Sequence, residues 1–388
     1  MRSEISRLAS HPTAVMASPR NVHIYITSAC NLRCIYCCHF GSSSDVKRDL
    51  GSAEWLTFFE ELGRARVISV DLLGGEPFVR YDLPELLDGI ARNHMRYRIM
   101  TNGTLVSERV ARCIAAGGVC GEVIVSVDGD SATTNDPFRG WGSFTGAMGG
   151  IDVLQKHGVP VSVAVTVHKK NVGKLRRIGS YFIEEIGTIR FYTNTASYLG
   201  LCRTHAGRVM LDASESLEAL EALVDLRSQY GVRVSNKVGP LQYLETWKSM
   251  VQERRELLDR KRRDGDGSLL PIGCRTIFSS IAVRSDGIMT PCTFLTHMAL
   301  GRINRDDLVQ TWRNNPKLRR LRERSITPMA GSAYCADCEY ARGCAGGCPA
   351  LAHSHSSVTE QPNPEGCLRR FGEELGARPD EVCVLSRS

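Results

Sequence analysis

The sequence predicts an α/β protein: a partial (β/α)6 barrel followed by a smaller, loop-rich unit dense in cysteine. Three observations carry this. Six short β-branched runs recur through the first half with helix-like segments between them, strand signals stop near residue 213, and cysteine, glycine and proline crowd the chain after residue 271. Strand followed by helix, repeated in this way, builds right-handed βαβ units on a parallel sheet.

The runs are 22-VHIYIT-27, 67-VISVDLL-73, 98-RIMTN-102, 122-EVIVSVD-128, 160-PVSVAVTV-167 and 188-TIRFYT-193. Their near-continuous apolar character is that of strands buried on both faces. Between them, 52–66, 82–94, 143–158 and 171–187 read as helices. Asp82 followed by Pro84 and Glu85 is a helix start, and Gly158 and Gly187 stand where helix stops belong. Residues 213–230 and 241–263 carry charged helical faces and read as a bridge. Residues 281–292 read as a β-hairpin turning at Asp286-Gly287, a dipeptide that accepts positive φ cheaply. The expected organisation is a tail over 1–20, the barrel over 21–212, a helical bridge over 213–270 and the cysteine-rich unit over 271–388.

Composition narrows the function. The chain has 388 residues, 42% of them hydrophobic and 23% charged, which is ordinary for a globular protein of two or three compact units. The net charge of +7 forms no long basic run; its densest cluster, 260-RKRRD-264, reads as a solvated helix end, so no nucleic-acid partner is expected. No apolar run approaches the roughly 18 residues of a membrane span, and the N-terminus lacks a signal-peptide core. Fifteen cysteines without an export signal argue for metal rather than disulfides, and for a cytoplasmic location.

The cysteines fall into two groups. Cys30-x3-Cys34-x2-Cys37 directly follows the first strand, the carboxyl end at which such folds place their chemistry. Three thiolates on one loop can hold three irons of a [4Fe–4S] cube and leave the fourth open; a zinc loop is the alternative, though structural zinc asks for four ligands. The 72-LLGGEPF-78 turn after strand two bares backbone at Gly74 and Gly75, with Glu76 fixed by Pro77, and suits a cationic amine. Asn102, Ser126, Asp128 and Thr166 sit at later strand ends, where such groups bind a ribose or cap a loop.

Taken together, the Cys-x3-Cys-x2-Cys loop, GGEP and 126-SVDG-129 resemble the radical S-adenosylmethionine (SAM) superfamily over about residues 20–200. The resemblance implies that Cys30, Cys34 and Cys37 hold a [4Fe–4S] cluster whose open iron chelates the amino and carboxyl groups of SAM. It implies that Tyr36 approaches the adenine, that the GGEP strand end meets the methionine amine, and that the Ser126–Asp128 region meets the ribose. A low-potential donor such as ferredoxin or flavodoxin would reduce the cluster, and SAM would cleave to methionine and a 5′-deoxyadenosyl radical.

The second group comprises Cys274, Cys292, Cys335, Cys338, Cys344, Cys348 and Cys367. A pair of zinc knuckles is the alternative reading, but no histidine stands at finger spacing. The array resembles the SPASM domain, the auxiliary-cluster extension of radical SAM enzymes that modify peptides. The resemblance implies that Cys274, Cys292 and Cys348 hold auxiliary cluster I and that Cys335, Cys338, Cys344 and Cys367 hold cluster II, making three [4Fe–4S] clusters in all. Some relatives carry an eighth cysteine where this chain has Ser280, so cluster I would have either a non-cysteine fourth ligand or an open iron. Cys38, Cys113, Cys120, Cys202 and Cys383 are expected to be small buried hydrophobes. Among them Cys202, near the barrel mouth, is the candidate hydrogen-atom donor to a substrate radical. His39 and His168 also lie at strand ends.

The pattern as a whole is similar to peptide maturases of bacterial biosynthetic cassettes, the SynChlorMet group among them. The expected function is oxidative cross-linking of a ribosomally made peptide. Because the barrel begins near residue 21, a separate leader-recognition protein is an expected partner. The alternatives are a small-molecule or tetrapyrrole substrate, peptide epimerisation through Cys202, and a non-catalytic iron–sulfur carrier, for which GGEP and SVDG would have no use. Thr293 stands where formylglycine-forming relatives carry Asp, which counts against sulfatase-type maturation.

Overall fold

A computed structural model describes residues 15–41, 48–237, 239–264 and 272–377; Cys383 and most of the N-terminal tail lie outside them. The six expected strands form, as β1 (Asn21–Tyr25), β2 (Ser69–Leu73), β3 (Arg96–Thr101), β4 (Cys120–Ser126), β5 (Val161–Val167) and β6 (Phe191–Thr195). They lie side by side in chain order, all parallel. The crossover helices are α1 (Ser52–Arg64), α2 (Leu83–Arg92), α3 (Glu108–Gly117), α4 (Ala132–Arg139), α5 (Ser143–Lys156) and α6 (Leu175–Ser180), the last continuing as a π turn over Tyr181–Glu185. Helix α2 starts where expected, but the Asp82 carboxylate forms an ion pair with Arg80 (2.6 Å) instead of capping the helix.

Side chains alternate across each strand, and here the two faces differ. The row that includes Val22, Ile24, Val70, Leu72, Ile99, Val123, Val125 and Val163 is fully buried and packs with the helices in one continuous core. Each such side chain contributes about 1.5–3 kcal/mol on burial. In the alternate row His23, Arg98, Met100, Ser126, Ala164, Thr166 and Tyr192 are half-buried, whereas Asp71, Glu122, Ile124 and Ser162 are buried. Thus the second face is buried only in part, and not throughout as the sequences imply. The barrel does not close, so its inner face stays accessible and can carry polar groups.

At the amino end of that inner face, cross-strand neighbours His23, Asp71, Arg98 and Glu122 run in register. His23 Nδ1 lies 3.0 Å from the Asp71 carboxylate, and Arg98 spans Asp71 (2.7 Å) and Glu122 (3.6 Å). Burial alone would raise the Asp71 carboxyl, but hydrogen bonds from His23 and Arg98 overcome it and hold the group well below the carboxylate range.

After β6 come α7 (Cys202–Val209), α8 (Ala213–Tyr230) and α9 (Pro240–Asp264). Helix α8 opens with a reciprocal capping box between Asp212 and Glu215. Trp247 of α9 donates its indole N–H to the Gly366 carbonyl (3.1 Å) and packs on Phe371, tying the bridge to the C-terminal unit.

That unit holds β7 (Ile272–Gly273), β8 (Ser280–Val283), β9 (Ile288–Thr290), β10 (Gly301–Arg302), α10 (Leu308–Asn314), α11 (Pro316–Arg324), β11 (Cys344–Gly347), α12 (Pro349–Ser356) and α13 (Leu368–Leu375). The β8–β9 hairpin turns at Gly287, whose φ is +85°. Strand β8 then hydrogen-bonds in parallel to β1, so one nine-stranded sheet runs β10-β9-β8-β1-β2-β3-β4-β5-β6 across both parts of the chain.

Candidate active site at the mouth of the barrel

The loop carrying Cys30, Cys34 and Cys37 leaves β1 at its carboxyl end and is clamped from four sides. The Asp49 carboxylate accepts from the Thr27 hydroxyl (2.6 Å) and the Ser28 N–H (2.9 Å), fixing the loop's first turn. The GGEP turn lies directly beneath it. Gly75 N–H donates to the Thr27 carbonyl (2.9 Å) and Glu76 N–H to that of Ala29 (2.8 Å). A Cβ on Gly75 would stand 2.1 Å from the Ala29 oxygen, so only glycine permits the approach. On the far side, Leu201 N–H donates to the Cys37 carbonyl (2.9 Å). Gly200 (φ +51°) sits so close that a Cβ there would come within 2.4 Å of both the Cys37 and Phe40 oxygens.

Helix α4, which the sequence reading missed, supplies the fourth clamp. Its composition, 132-ATTNDPFR-139, looks like a loop, and Pro137 lies inside it. Ile35 N–H donates to the Phe138 carbonyl (3.0 Å), while Arg139 reaches back to Asp128 with Nε at 2.8 Å and Nη2 at 3.1 Å. Asp128 is completely buried and is the centre of the site. Its carboxylate also accepts from the Tyr36 hydroxyl and from Thr166 N–H (2.9 Å), and its carbonyl accepts from Asn171 (2.9 Å). Arg139 and Asn171 are functional neighbours that no local motif marked.

Several expected ligands are thereby placed. Ser126 and Thr166 share the accessible inner face with Asn102, whose Nδ2 lies 3.9 Å from Cys30 Sγ and 2.9 Å from Asn31. Glu76 is 1% exposed, and its carboxylate accepts from Thr101 Oγ1 (2.7 Å), Asn102 N–H (2.7 Å) and Phe78 N–H (3.1 Å). It braces the ends of β2 and β3, leaving the backbone of Gly74 to Pro77 as what the turn offers a ligand. Tyr36 packs in a small cluster with Phe138, Ala196, Cys202 and Val209.

His168 is fully buried, stacked 3.9 Å from the Phe138 ring and 5.9 Å from that of Tyr36, with no partner for Nε2 among the described residues. Burial pulls it down to about 4. Cys202 is likewise wholly buried, and burial pushes its thiol up to about 12. The inert, packed thiol expected of the leftover cysteines therefore describes Cys202, whereas Cys38 and Cys113 are exposed and Cys120 half-buried. Local sequence sets no side-chain direction, so those two exposures were illegible.

The C-terminal thiols gather into two sets. Burial first, then Cys348 and Cys274, push Cys292 up to about 12; burial and Cys274 push Cys348 up to about 11. Separately, burial and then Cys367, Cys335 and Cys338 push Cys344 up to about 11. Between the sets lies Arg324, buried and donating to the carbonyls of Ala345 (3.0 Å), Gly346 (3.2 Å), Gly347 (2.9 Å), Thr359 and Gln361 (2.8 Å). It holds the strand between Cys344 and Cys348 in shape.

The residues fit iron–sulfur clusters. Every described cysteine is a free thiol, and backbone N–H groups point at the sulfurs: Leu32 at Cys30 (3.4 Å) and Gly346 at Cys344 (3.2 Å). Such bonds stabilise cluster thiolates. Among the described residues no three His, Cys, Asp or Glu side chains converge as they would on a single ion. A cubane spreads its thiolates over several corners.

Between the two cysteine regions lies a cavity of about 120 Å³, walled by Tyr25, Cys38 and His39 on one side and by Thr293, His297 and His353 on the other. The Tyr25 hydroxyl bridges the gap to the Thr293 carbonyl (2.8 Å).

Against family models, residues 24–178 match the radical SAM superfamily and residues 274–339 match SPASM, an iron–sulfur cluster-binding domain. The chain belongs to the radical SAM superfamily. This radical SAM/SPASM enzyme binds SAM and iron–sulfur clusters. It is similar to the mycofactocin maturase MftC of Mycobacterium tuberculosis, 28% identical over 97% of this chain and 90% of that one. It is also similar to an AdoMet-dependent heme synthase of Methanosarcina barkeri, 26% identical over 93% of this chain and 99% of that one. In fold it is similar to Streptococcus suis SuiB, with a TM-score of 0.70 at 18% identity, covering 94% of this chain and 80% of that one. Among the described residues no helix is long and apolar enough to cross a membrane.

Proposed function

We propose that this radical SAM/SPASM enzyme oxidatively modifies a ribosomally made peptide, closing a cross-link. The observation that carries the reading is the cavity bounded on one side by the Cys38–His39 end of the first cysteine loop and on the other by the loop after Cys292. A substrate carbon there would lie between the two cysteine regions. The relatives named as a maturase and, for SuiB, a structure with a bound precursor peptide support a peptide substrate.

Cys30, Cys34 and Cys37 would hold the SAM-binding cluster, the Gly74–Pro77 backbone would meet the methionine amine, and Asn102, Ser126 and Thr166 would line the nucleoside. Tyr36, fixed by Asp128, would set the position of the adenine. Cys274, Cys292 and Cys348 would hold one auxiliary cluster and Cys335, Cys338, Cys344 and Cys367 the other. Loaded with its clusters and SAM, such a site supplies a 5′-deoxyadenosyl radical that removes a substrate hydrogen atom, and a path for the electron left behind. The chain's own part is to exclude water: Tyr36, Phe138 and Cys202 pack behind the loop, and Tyr25 closes the front.

The test is anaerobic incubation of the reconstituted protein with SAM, dithionite and a synthetic peptide encoded beside its gene. The expected result is 5′-deoxyadenosine together with a peptide lighter by two hydrogens. A second reading, a tetrapyrrole substrate, is favoured by the heme synthase that this chain matches over almost its whole length. Turnover of an iron porphyrin bearing propionates, with the peptide untouched, would establish that reading instead.

A further inference from the structure

The cavity between the cysteine regions has an uneven chemistry. Its walls carry Arg203, His39, His297 and His353, together with hydroxyls from Thr296 and Ser354, and among the described residues no Asp or Glu lines it. His297, from the loop after Cys292, and His353, from α12, stack with ring centroids 4.1 Å apart and planes 19° from parallel. Arg203, from the first turn of α7, lies over the Tyr198 ring at 5.7 Å, with Nε 3.5 Å from the Tyr198 carbonyl. The nearby acid, Glu365, is committed elsewhere: to His355 (2.9 Å) and to Tyr198 N–H (3.0 Å). A guanidinium and a stacked imidazole pair therefore converge from two parts of the fold on one space in which no described carboxylate faces them.

We infer that this cavity takes a carboxylate of the substrate, with Arg203 and the His297–His353 pair as its ligands. The inference rests on the proposed reading of the cavity as the place of the reacting substrate. Planar bidentate pairing is what a guanidinium offers a carboxylate and little else in a peptide.

The groups around the pair agree. Burial lowers His297 first, then His353, Arg203 and Lys317; burial and Arg203 lower His353. Protonation of this pair is thus disfavoured by its surroundings, and an entering anion would favour it. Carboxylate binding should therefore strengthen as pH falls from 8 to 6.

The test uses the reconstituted full chain with SAM and four probes: N-acetylalanine, N-acetylglutamic acid 1-amide, and the carboxamide of each. Titration by saturation-transfer NMR at pH 6.5 is expected to find at least one acid bound about tenfold or more tighter than its amide. Preference for N-acetylalanine would identify a chain terminus, and preference for the glutamate derivative a side chain or propionate. Arg203→Gln, and separately His297→Gln with His353→Gln, should each abolish the preference at unchanged iron content, and Arg203→Lys should retain part of it. Equal binding of acid and amide, no detectable binding of either acid, equally tight binding of inorganic phosphate, or a preference that survives Arg203→Gln would each overturn the inference. Release of 5′-deoxyadenosine is measured on the same preparation. Its absence speaks against the proposed function, whereas its presence without acid preference sinks only the carboxylate site.

Discussion

Gly200 is the least conspicuous residue around the first cysteine loop and one of the most constrained. Its α-hydrogen faces the carbonyls of Cys37, Cys38 and Phe40, and φ is positive. Gly200→Ala should push the loop off its seat. The expected outcome is loss of SAM cleavage and of the iron bound at Cys30, Cys34 and Cys37, while C-terminal iron is retained, as read by iron content and 5′-deoxyadenosine yield. Glu76→Gln is expected to be milder. The amide cannot accept from Thr101, Asn102 and Phe78 alike, so one buried donor loses its partner at about 1–3 kcal/mol, measurable as a lower denaturant midpoint. His168 gives a pH signature. Its folded value near 4 lies below the ordinary 6.5, so the unfolded chain takes up more protons on acidification and stability falls with pH. Between pH 7.5 and 5.5 this side chain should cost about 1.4 kcal/mol, and His168→Phe, which keeps the stacking on Phe138, should remove that part of the slope. The residue-level chemistry of the cysteine motifs and GGEP was legible because each is local in sequence. Arg139, Asn171 and Arg203 were not, since what makes them functional is a partner brought close only by folding.

At the scale of elements, strand positions were read to within a few residues because a β-branched run between turns leaves little choice. What escaped was their facing. Reading the runs as near-continuously apolar passed over Asp71, Arg98 and Glu122, one from each of three neighbouring strands, which face the same side of the sheet. The chain His23–Asp71–Arg98–Glu122 follows directly once the strands are aligned, but alignment is a property of the sheet. Helix α4 escaped for the opposite reason: Thr, Asn, Asp and Pro locally favour turns, and packing of Phe138 and Arg139 under the cysteine loop overrides them. In the C-terminal unit, Arg324 does for β11 what backbone pairing does for a longer strand. Arg324→Met should leave five carbonyls without their donor. We expect iron to be lost preferentially from the C-terminal cysteines, with SAM cleavage by the barrel largely retained.

At the scale of the molecule, the cysteine-rich unit is not an appendage. Its hairpin extends the barrel sheet through β8 on β1, and α9 and α13 lock together through Trp247 and Phe371. Two fragments split between residues 264 and 272 should therefore behave poorly alone and copurify when produced together. Independent solubility of both, with no association, would contradict this.

The pairing of β1 with β8 also sets a schedule. During translation β1 emerges first, yet the neighbour that completes it follows roughly 260 residues later, a delay of roughly 13–50 s at ordinary ribosomal speed. For that interval the nascent chain carries an open strand edge beside reactive thiols. Until β8 is made, its place beside β1 stands open, so a late-made segment closes a gap that the first strand creates.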